Sequence, residues 1–405
     1  MWGVVQGSPR DRWMKRFFGK VIKGKLVDRP NRFLVRCKVR ERMLSAFLPN
    51  PGRLQELLLP DRRIYLSKDA SSRNRQYPYT AVAAEREGYP VMLHTHRTNE
   101  VVRHLLQQKM IPELREAEVV QSETRIGRNR FDFLLKTKEE NIILEVKSCT
   151  LFGERVAMFP DAVTERGRRH LLELARLSDQ GIRTALLFVV HWPFAEIFMP
   201  DYHTDLEFSK TLLQVREKVH TIAVAIGWTP DLSLSKEVKG LQIPWSYLER
   251  EVEDRGSYLL ILHLEKEQTV PVGKLGPILF QRGFYVYVGS AMANLNSRME
   301  RHLRLRKRHH WHIDELRAAT PFHSILPIRS SERLECEIAA ALPAISQWRV
   351  EGFGSTDCSC PTHLFGFSEN PLHLEGFHKI LQYFRMERFL EKGMRPNGAT
   401  PNRGD

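Results

Sequence analysis

The sequence predicts an α/β protein of several domains, on three observations. Residues 15–84 read as mostly strand, with Val35, Cys37 and Val39 alternating against Arg36, Lys38 and Arg40, which gives one apolar and one cationic face. Residues 131–148 place two apolar runs around a short charged turn, the pattern of a β-hairpin, between segments of helical periodicity. A fresh set of apolar runs begins at Gly256. The 405 residues suffice for two or three domains with separate cores.

Taken in order, the Leu-Pro-Asn-Pro-Gly turn at 48–52 and the Pro60-Asp61 break divide 15–84 into short strands, and a small twisted barrel is the natural architecture. Its cationic face suits single-stranded nucleic acid, and reads equally as the solvated face of an antiparallel sheet. Residues 85–235 follow as an α/β sandwich around the hairpin. Its expected parts are a helix over 97–111, a helix from the N-cap Thr164 to Gly181, a strand Thr184–Val190, a helix near 205–219 and a strand near 221–226. Residues 236–252, in a Pro- and Ser-containing stretch of mixed charge, read as a linker. The unit 253–368 has strands at Ser257–Leu264 and Phe284–Val288, a loop over 271–283, and helices over Asn294–Arg306 and Leu334–Leu342. Residues 369–405 read as a weakly amphipathic helix and a polar, disordered end.

The formal net charge of +14 implies a polyanionic partner, nucleic acid (DNA or RNA) or an anionic membrane. Five cysteines are too few for a disulfide framework and suggest a reducing compartment. The N-terminus lacks a signal-peptide core, and no run reaches the ~20 apolar residues of a spanning helix. The expectation is a cytoplasmic protein that does not enter membranes. Oligomeric state is not legible.

The hairpin carries the first chemistry. Glu145 and Lys147 share one strand face. A turn centred on Lys138-Glu139 sets Asp132 directly opposite Glu145. Two carboxylates so placed repel unless a cation lies between them, and Mg²⁺ favours one or two carboxylates plus water and phosphate oxygens. Such an ion polarises a phosphodiester and acidifies bound water, while Lys147 orients that water and offsets developing charge. Arg166 and His170, four residues apart on the next helix, suit phosphate oxygens.

The stretches Asn-Arg-Phe-Asp-Phe-Leu-Leu, Glu-Val-Lys-Ser-Cys-Thr-Leu, Phe-Pro-Asp-Ala-Val-Thr-Glu-Arg-Gly-Arg-Arg-His and Leu-Pro-Asn-Pro-Gly-Arg-Leu-Gln-Glu-Leu closely resemble the sugar fermentation stimulation protein A family over residues 15–235. The resemblance implies an OB-like β-barrel followed by a PD-(D/E)XK restriction-endonuclease-like domain that binds DNA nonspecifically. By it, Asp132 and Glu145 hold Mg²⁺ or Mn²⁺ and Lys147 is catalytic. The competing reading is a degenerate nuclease fold kept as a DNA-binding regulator.

In the second unit, Tyr258, Tyr287, Arg298 and Glu335 are ordinary residues singly. Together with Tyr-Val-Gly-Ser-Ala at 287–291, His-Trp-His-Ile-Asp at 310–314 and Gly-Phe-Gly-Ser-x-Asp-Cys-x-Cys at 352–360, they resemble the GIY-YIG nuclease superfamily over about 255–367. That resemblance makes Glu335 a metal ligand, with Glu337 its rival. Tyr258, or a water it contacts, becomes the general base supported by Tyr287, and Arg298 the stabiliser of phosphate charge. Ser257 stands where the superfamily name has Ile, on the strand face away from Tyr258. The basic run 301–312 suggests phosphate tracking by Arg301 and Arg304 with Trp311 as a stacking face. His310, His312 and Asp314 alternate as ligands do. Cys358, Cys360 and His363 supply three of the four ligands structural zinc takes, and read as reduced thiols or a zinc cluster.

Overall fold

The computed structural model describes residues 15–68, 76–127 and 129–391. The N-terminal stretch read for a signal peptide and the polar end 392–405 lie outside them. The chain divides into two compact units, one running to Pro200 and including Thr211–Pro244, the other comprising Asp201–Lys210 and the residues from Trp245 onward.

The first unit opens with β1 (Val21–Asn31), β2 (Leu34–Val39), β3 (Arg42–Phe47), β4 (Arg63–Ser67), β5 (Tyr79–Arg86) and β6 (Tyr89–Met92). Parallel pairing of β3 with β5 closes β1–β5 into a barrel, and β6 extends it past the expected boundary at 84. Val35 and Cys37 point into the core while Arg36 and Lys38 stay exposed, as alternation requires. The cationic stripe is nevertheless not an open one. Arg36 is hydrogen-bonded to Asp28, Lys38 Nζ lies 3.0 Å from Glu41, and Arg40 leaves the strand at φ +53° in the β2–β3 turn.

Next come α1 (Thr98–Gln107), β7 (Glu118–Ile126), β8 (Asn129–Lys136), β9 (Asn141–Cys149), β10 (Leu151–Phe152), β11 (Val156–Phe159), α2 (Glu165–Ser178), β12 (Arg183–Val190), β13 (Ile197–Pro200), α3 (Leu206–Val215), β14 (His220–Trp228) and β15 (Leu234–Gly240). One sheet runs β15-β14-β12-β9-β8-β7, with β9, β12 and β14 parallel at its centre. Strands buried on both faces read as continuous apolar runs, which is why Ile-Ile-Leu-Glu-Val and Thr-Ala-Leu-Leu-Phe-Val-Val carry the core. The one acid within that buried run of β9 is Glu145. Residues 236–252 are not a linker: β15 is an edge strand, and α4 (Trp245–Glu251) begins the second unit. An edge strand takes its ladder from one side, so it forms without the apolar content by which strands are recognised.

In the second unit β16 (Gly256–Leu264), a hairpin β17 (Gln268–Val272) and β18 (Gly276–Phe280), β19 (Gly283–Ala291), α5 (Leu295–Leu303), α6 (His312–Ala319), β20 (Phe322–Arg329), α7 (Glu335–Ala341), β21 (Trp348–Arg349), β22 (Leu364–Phe367), α8 (Glu375–Gln382) and α9 (Arg388–Glu391) follow in order. The antiparallel sheet β20-β16-β19-β22-β21 has a core on each face. Tyr258, Leu260 and Tyr287 pack with Ile313 and Phe353, whereas Leu259, Ile261 and Val288 pack with Ile338 and Phe377. The expected loop over 271–283 is mostly that hairpin, in which Pro271 pairs with Pro277 across a turn holding Gly273 at φ +41°. The breakers mark the tip of a two-stranded ribbon, where prolines forfeit little. Among the described residues no helix is long and apolar enough to cross a membrane.

Candidate active sites

β8 pairs with β9 from Phe133↔Leu144 to Lys136↔Asn141. That register, carried one step further, sets Asp132 across from Glu145. There side chains take over the hydrogen bonding. Asp132 Oδ2 accepts the Val146 N–H at 2.7 Å, and Oδ1 accepts from Asn99 Nδ2 of α1 at 2.7 Å. Glu145 Oε1 accepts from Lys147 Nζ and from His170 Nδ1 of α2, each at 2.6 Å. Glu145 Oε2 is buried and has no hydrogen-bond partner among the described residues.

Electrostatics separates the two acids. Burial, then the Glu145 charge, raises the Asp132 carboxyl above its ordinary value. Burial also works to raise Glu145, but the His170 hydrogen bond and the Lys147 charge outweigh it and hold Glu145 low. A positive charge is therefore wanting on the Asp132 side, and a buried carboxylate oxygen stands without a donor. A hard, oxygen-seeking divalent cation fits both facts.

These groups line a cavity of about 720 Å³. Its wall joins the two most distinctive sequence stretches, because Asp161 accepts the N–H groups of Arg53 at 2.6 Å and Leu54 at 2.9 Å. A Cβ at Gly52 would stand 2.6 Å from Asp161 Oδ2, which is held by the Leu54 N–H, so the glycine of that turn leaves room for this carboxylate. Thr164 accepts the Gly167 N–H at 3.1 Å and starts α2, which delivers Arg166 and His170 to the cavity. His170 meets a carboxylate, Glu145, a role distinct from the phosphate contact expected of it, and Arg166 is exposed.

In the second unit Tyr258 pairs with Gly289 and Leu260 with Tyr287. The Tyr258 hydroxyl lies 2.8 Å from His302 Nε2, and any Cβ at Gly289 would come within 2.4 Å of that hydroxyl. The glycine of Tyr-Val-Gly is there to admit the tyrosine. Burial raises both hydroxyls well above the ordinary value, aided by Tyr287 at Tyr258 and by Glu335 at Tyr287. Burial lowers His302 to about 4, so it is neutral at physiological pH, with Nδ1 3.9 Å from Asp314. Glu335 accepts from Ser290 Oγ and, at 3.1 Å, from His363 Nδ1. Glu337 is not its rival, since it pairs with Arg388 at 3.0 Å on the exposed side. Ser257 is buried, its hydroxyl without a hydrogen-bond partner among the described residues, one residue out of phase with Tyr258.

The basic run departs from expectation. Arg301 forms a two-pronged pair with buried Asp314 at 2.9 and 3.0 Å, and Lys307 joins it at 2.8 Å. Asp314 also accepts the N–H groups of His310 and Trp311, so it anchors this loop and is not one of an alternating ligand set. His312 Nδ1 accepts the Gly354 N–H at 3.3 Å. The Trp311 ring carries Arg298 at 4.2 Å and Arg301 at 4.4 Å, which occupy the face a base would use. Arg304 remains exposed.

Residues 27–93 match the SfsA N-terminal OB domain, 96–231 the sugar fermentation stimulation protein RE domain, and 257–386 a domain of unknown function, DUF123. The sugar fermentation stimulation protein homolog of Methanothermobacter thermautotrophicus is 38% identical over 196 residues, 48% of this chain and 81% of the relative. This chain belongs to the sugar fermentation stimulation protein family. The homolog of Methanosphaera stadtmanae is 36% identical over 47% of this chain and 80% of its own length. The solved structure of Pyrococcus furiosus SfsA in complex with Ca²⁺ aligns with TM-score 0.51 and 25% identity, covering 55% of this chain and 96% of that one. This SfsA family member therefore joins the OB barrel and RE domain to a DUF123 domain.

Sequence reasoning missed Asn99, Asp161 and His302. Asp161 lay inside a quoted motif, and His302 inside the basic run; Asn99 carried no local signal. The raised Asp132 has a testable consequence for stability. A group whose folded pKa is raised contributes stability below its unfolded value, about 3.9, and loses it as pH rises through the folded value. At neutral pH, metal-free Asp132→Asn should therefore melt above the parent, with Asn99 turning its carboxamide so that its oxygen accepts from the new Nδ2. Mg²⁺ should raise the melting temperature of the parent and not of the variant. Equal metal-induced shifts would contradict the assignment.

Proposed function

We propose that this SfsA family member is a divalent-metal-dependent nuclease that hydrolyses phosphodiester bonds of DNA at the Asp132–Glu145–Lys147 centre. The carrying observation is the convergence of two acids and an amine on one cavity, with Glu145 Oε2 buried and unpartnered. Mg²⁺ or Mn²⁺ held there supplies a Lewis acid and an acidified water. The chain's own groups do the rest. Asn99 and the Val146 N–H fix Asp132, His170 fixes Glu145, Lys147 orients the attacking water and offsets charge on the phosphorus, and Arg166 meets a nonreacting phosphate oxygen. The Ca²⁺ bound by Pyrococcus furiosus SfsA supports an oxygen-ligand metal in this fold.

DNA reaches this centre along the barrel. A second cavity, about 830 Å³, is lined by Phe33, Phe47, Tyr77 and His94 and shares His96 with the first. Phe33 is 45% exposed, as a stacking platform needs. This aromatic floor replaces the ion-paired Arg36 and Lys38 as the proposed single-strand contact. The second unit, where the Tyr258 hydroxyl is hydrogen-bonded to neutral His302 and Glu335 is held by Ser290 and His363, is a candidate second hydrolytic centre.

Incubation of the full chain with single-stranded and duplex DNA and RNA, in Mn²⁺ or in EDTA, tests the proposal. Cleavage in Mn²⁺ alone is expected, with binding that falls steeply as salt rises. Phe33→Ala should weaken single-stranded DNA by about 1–3 kcal/mol, the contribution of one stacked base. Salt-sensitive binding with no cleavage of any substrate would leave a noncatalytic DNA-binding regulator instead.

A further inference from the structure

We propose that Cys336, Cys358, Cys360 and His363 bind one structural zinc ion, which staples the 353–363 loop to α7. The sequence pattern supplies three ligands, and the fold brings the fourth, Cys336, from a helix more than twenty residues earlier. One ligand atom from each residue lies within 4.8 Å of all the others. Tetrahedral zinc with sulfur at about 2.3 Å sets sulfurs about 3.7 Å apart, so a contraction of about 1 Å closes the cage. For a sulfur and a nitrogen ligand the same geometry requires about 3.5 Å. Cys358 Sγ stands 3.5 Å from His363 Nε2.

The other coordination shell is also present. His363 Nδ1 donates to Glu335 Oε1 at 3.1 Å, which fixes the ring and leaves Nε2 with its lone pair facing the thiols. Carboxylate–histidine–metal arrays are built this way. The loop is tied at its ends by backbone hydrogen bonds, Gly352 N–H to Pro361 C=O at 2.8 Å and Gly354 N–H to His312 Nδ1 at 3.3 Å, but it has no buried side chain of its own. From Gly354 to Pro361 no side chain is buried, although Phe353 on one side and Thr362 and His363 on the other are. A packing role for the cysteines fails for the same reason, since Cys336 is exposed and Cys358 and Cys360 are half-buried. A disulfide would use two thiols and leave both the third and the histidine unexplained.

The ion would sit next to Glu335, the adjacent residue in the chain, and so would set where that carboxylate stands relative to Tyr258 and Tyr287. Glu335 is then a positioning residue for His363 through Oε1. This inference does not depend on cleavage activity in either unit.

Elemental analysis of the full chain, purified under reducing conditions and without chelators, should find about one zinc per chain. Cys358→Ser, and separately the exposed Cys336→Ser, should reduce it to a small fraction while the first unit keeps its folded spectrum. Cobalt replacement should give the absorption of tetrahedral, thiolate-bound Co²⁺, and a mercurial titration should release zinc in step with three thiols. Glu335→Gln should weaken zinc about 10- to 100-fold against a competing chelator. Metal-free protein with three freely reactive thiols, or a Cys336, Cys358 or Cys360 disulfide found by mass spectrometry, would overturn the proposal. An unchanged zinc affinity in Glu335→Gln would overturn the positioning role.

Discussion

Lys147→Ala should abolish metal-dependent cleavage while leaving DNA binding nearly intact. Lys147 Nζ is 2.6 Å from Glu145 Oε1, so its charge stands at the carboxylate proposed to carry the ion. Removing one preorganised electrostatic group from such a centre typically costs about 10²–10³ in rate. Binding draws on many phosphate contacts spread over a chain of net charge +14 and depends weakly on any single amine. Lys147→Arg should not rescue, because a planar fork replaces a compact ammonium in a pocket built around the latter. Single-turnover cleavage of labelled DNA in Mn²⁺, read beside anisotropy binding curves, makes the comparison. Wild-type cleavage by Lys147→Ala would remove the first centre from the mechanism and leave Glu335→Ala as the decisive variant. If both units cut, Glu145→Ala and Glu335→Ala should each leave residual activity, with different product patterns.

Asp314→Asn should be the most destabilising conservative change in the second unit. The carboxylate is fully buried, bound by Arg301 and Lys307, and accepts two backbone N–H groups. Burial alone would raise its pKa, but these partners outweigh burial and hold it far below the usual range. Breaking a buried ion pair from one side costs about 3–5 kcal/mol, because the remaining charges stay desolvated. At this size that corresponds to a fall on the order of 10 °C in the melting of the second unit. The sign with pH follows from the depressed value. Stability is present above the unfolded pKa, about 3.9, and is lost as pH falls through the folded one. Wild type should thus weaken steeply below about pH 4, a drop the variant lacks. Faster proteolysis at Arg304, Arg306 and Arg308 would report release of the loop. An unchanged melting profile would show that Arg301 and Lys307 are solvated without Asp314.

Much of the first site was legible because its signals are local. Alternation on β9 puts Glu145 and Lys147 on one face, and a short hairpin turn fixes the register against β8, so a single strand pair specifies three residues. Thr164 and its helix are written in one capping pattern. Asn99 was invisible because its role depends on how α1 lies over the sheet, and no periodicity within α1 encodes that. The hairpin β17–β18 and the edge strand β15 were read as irregular because their hydrogen bonds, unlike their side chains, make them strands.

The basic run shows the opposite limit. Composition made Arg301 and Trp311 look free for nucleic acid. Folding brings Asp314 beneath Arg301 and lays two guanidinium groups over the indole, so charge that appears surplus along the chain is neutralised across it. Cys336 joins Cys358, Cys360 and His363 for the same reason. The amino-acid sequence by itself determined the domain succession, the family and the hairpin that pairs two acids with a lysine, since periodicity and turns act over a few residues. Only the tertiary structure decided which charges are spent on one another and which thiols meet, because those partners come from segments brought together by burial of the core.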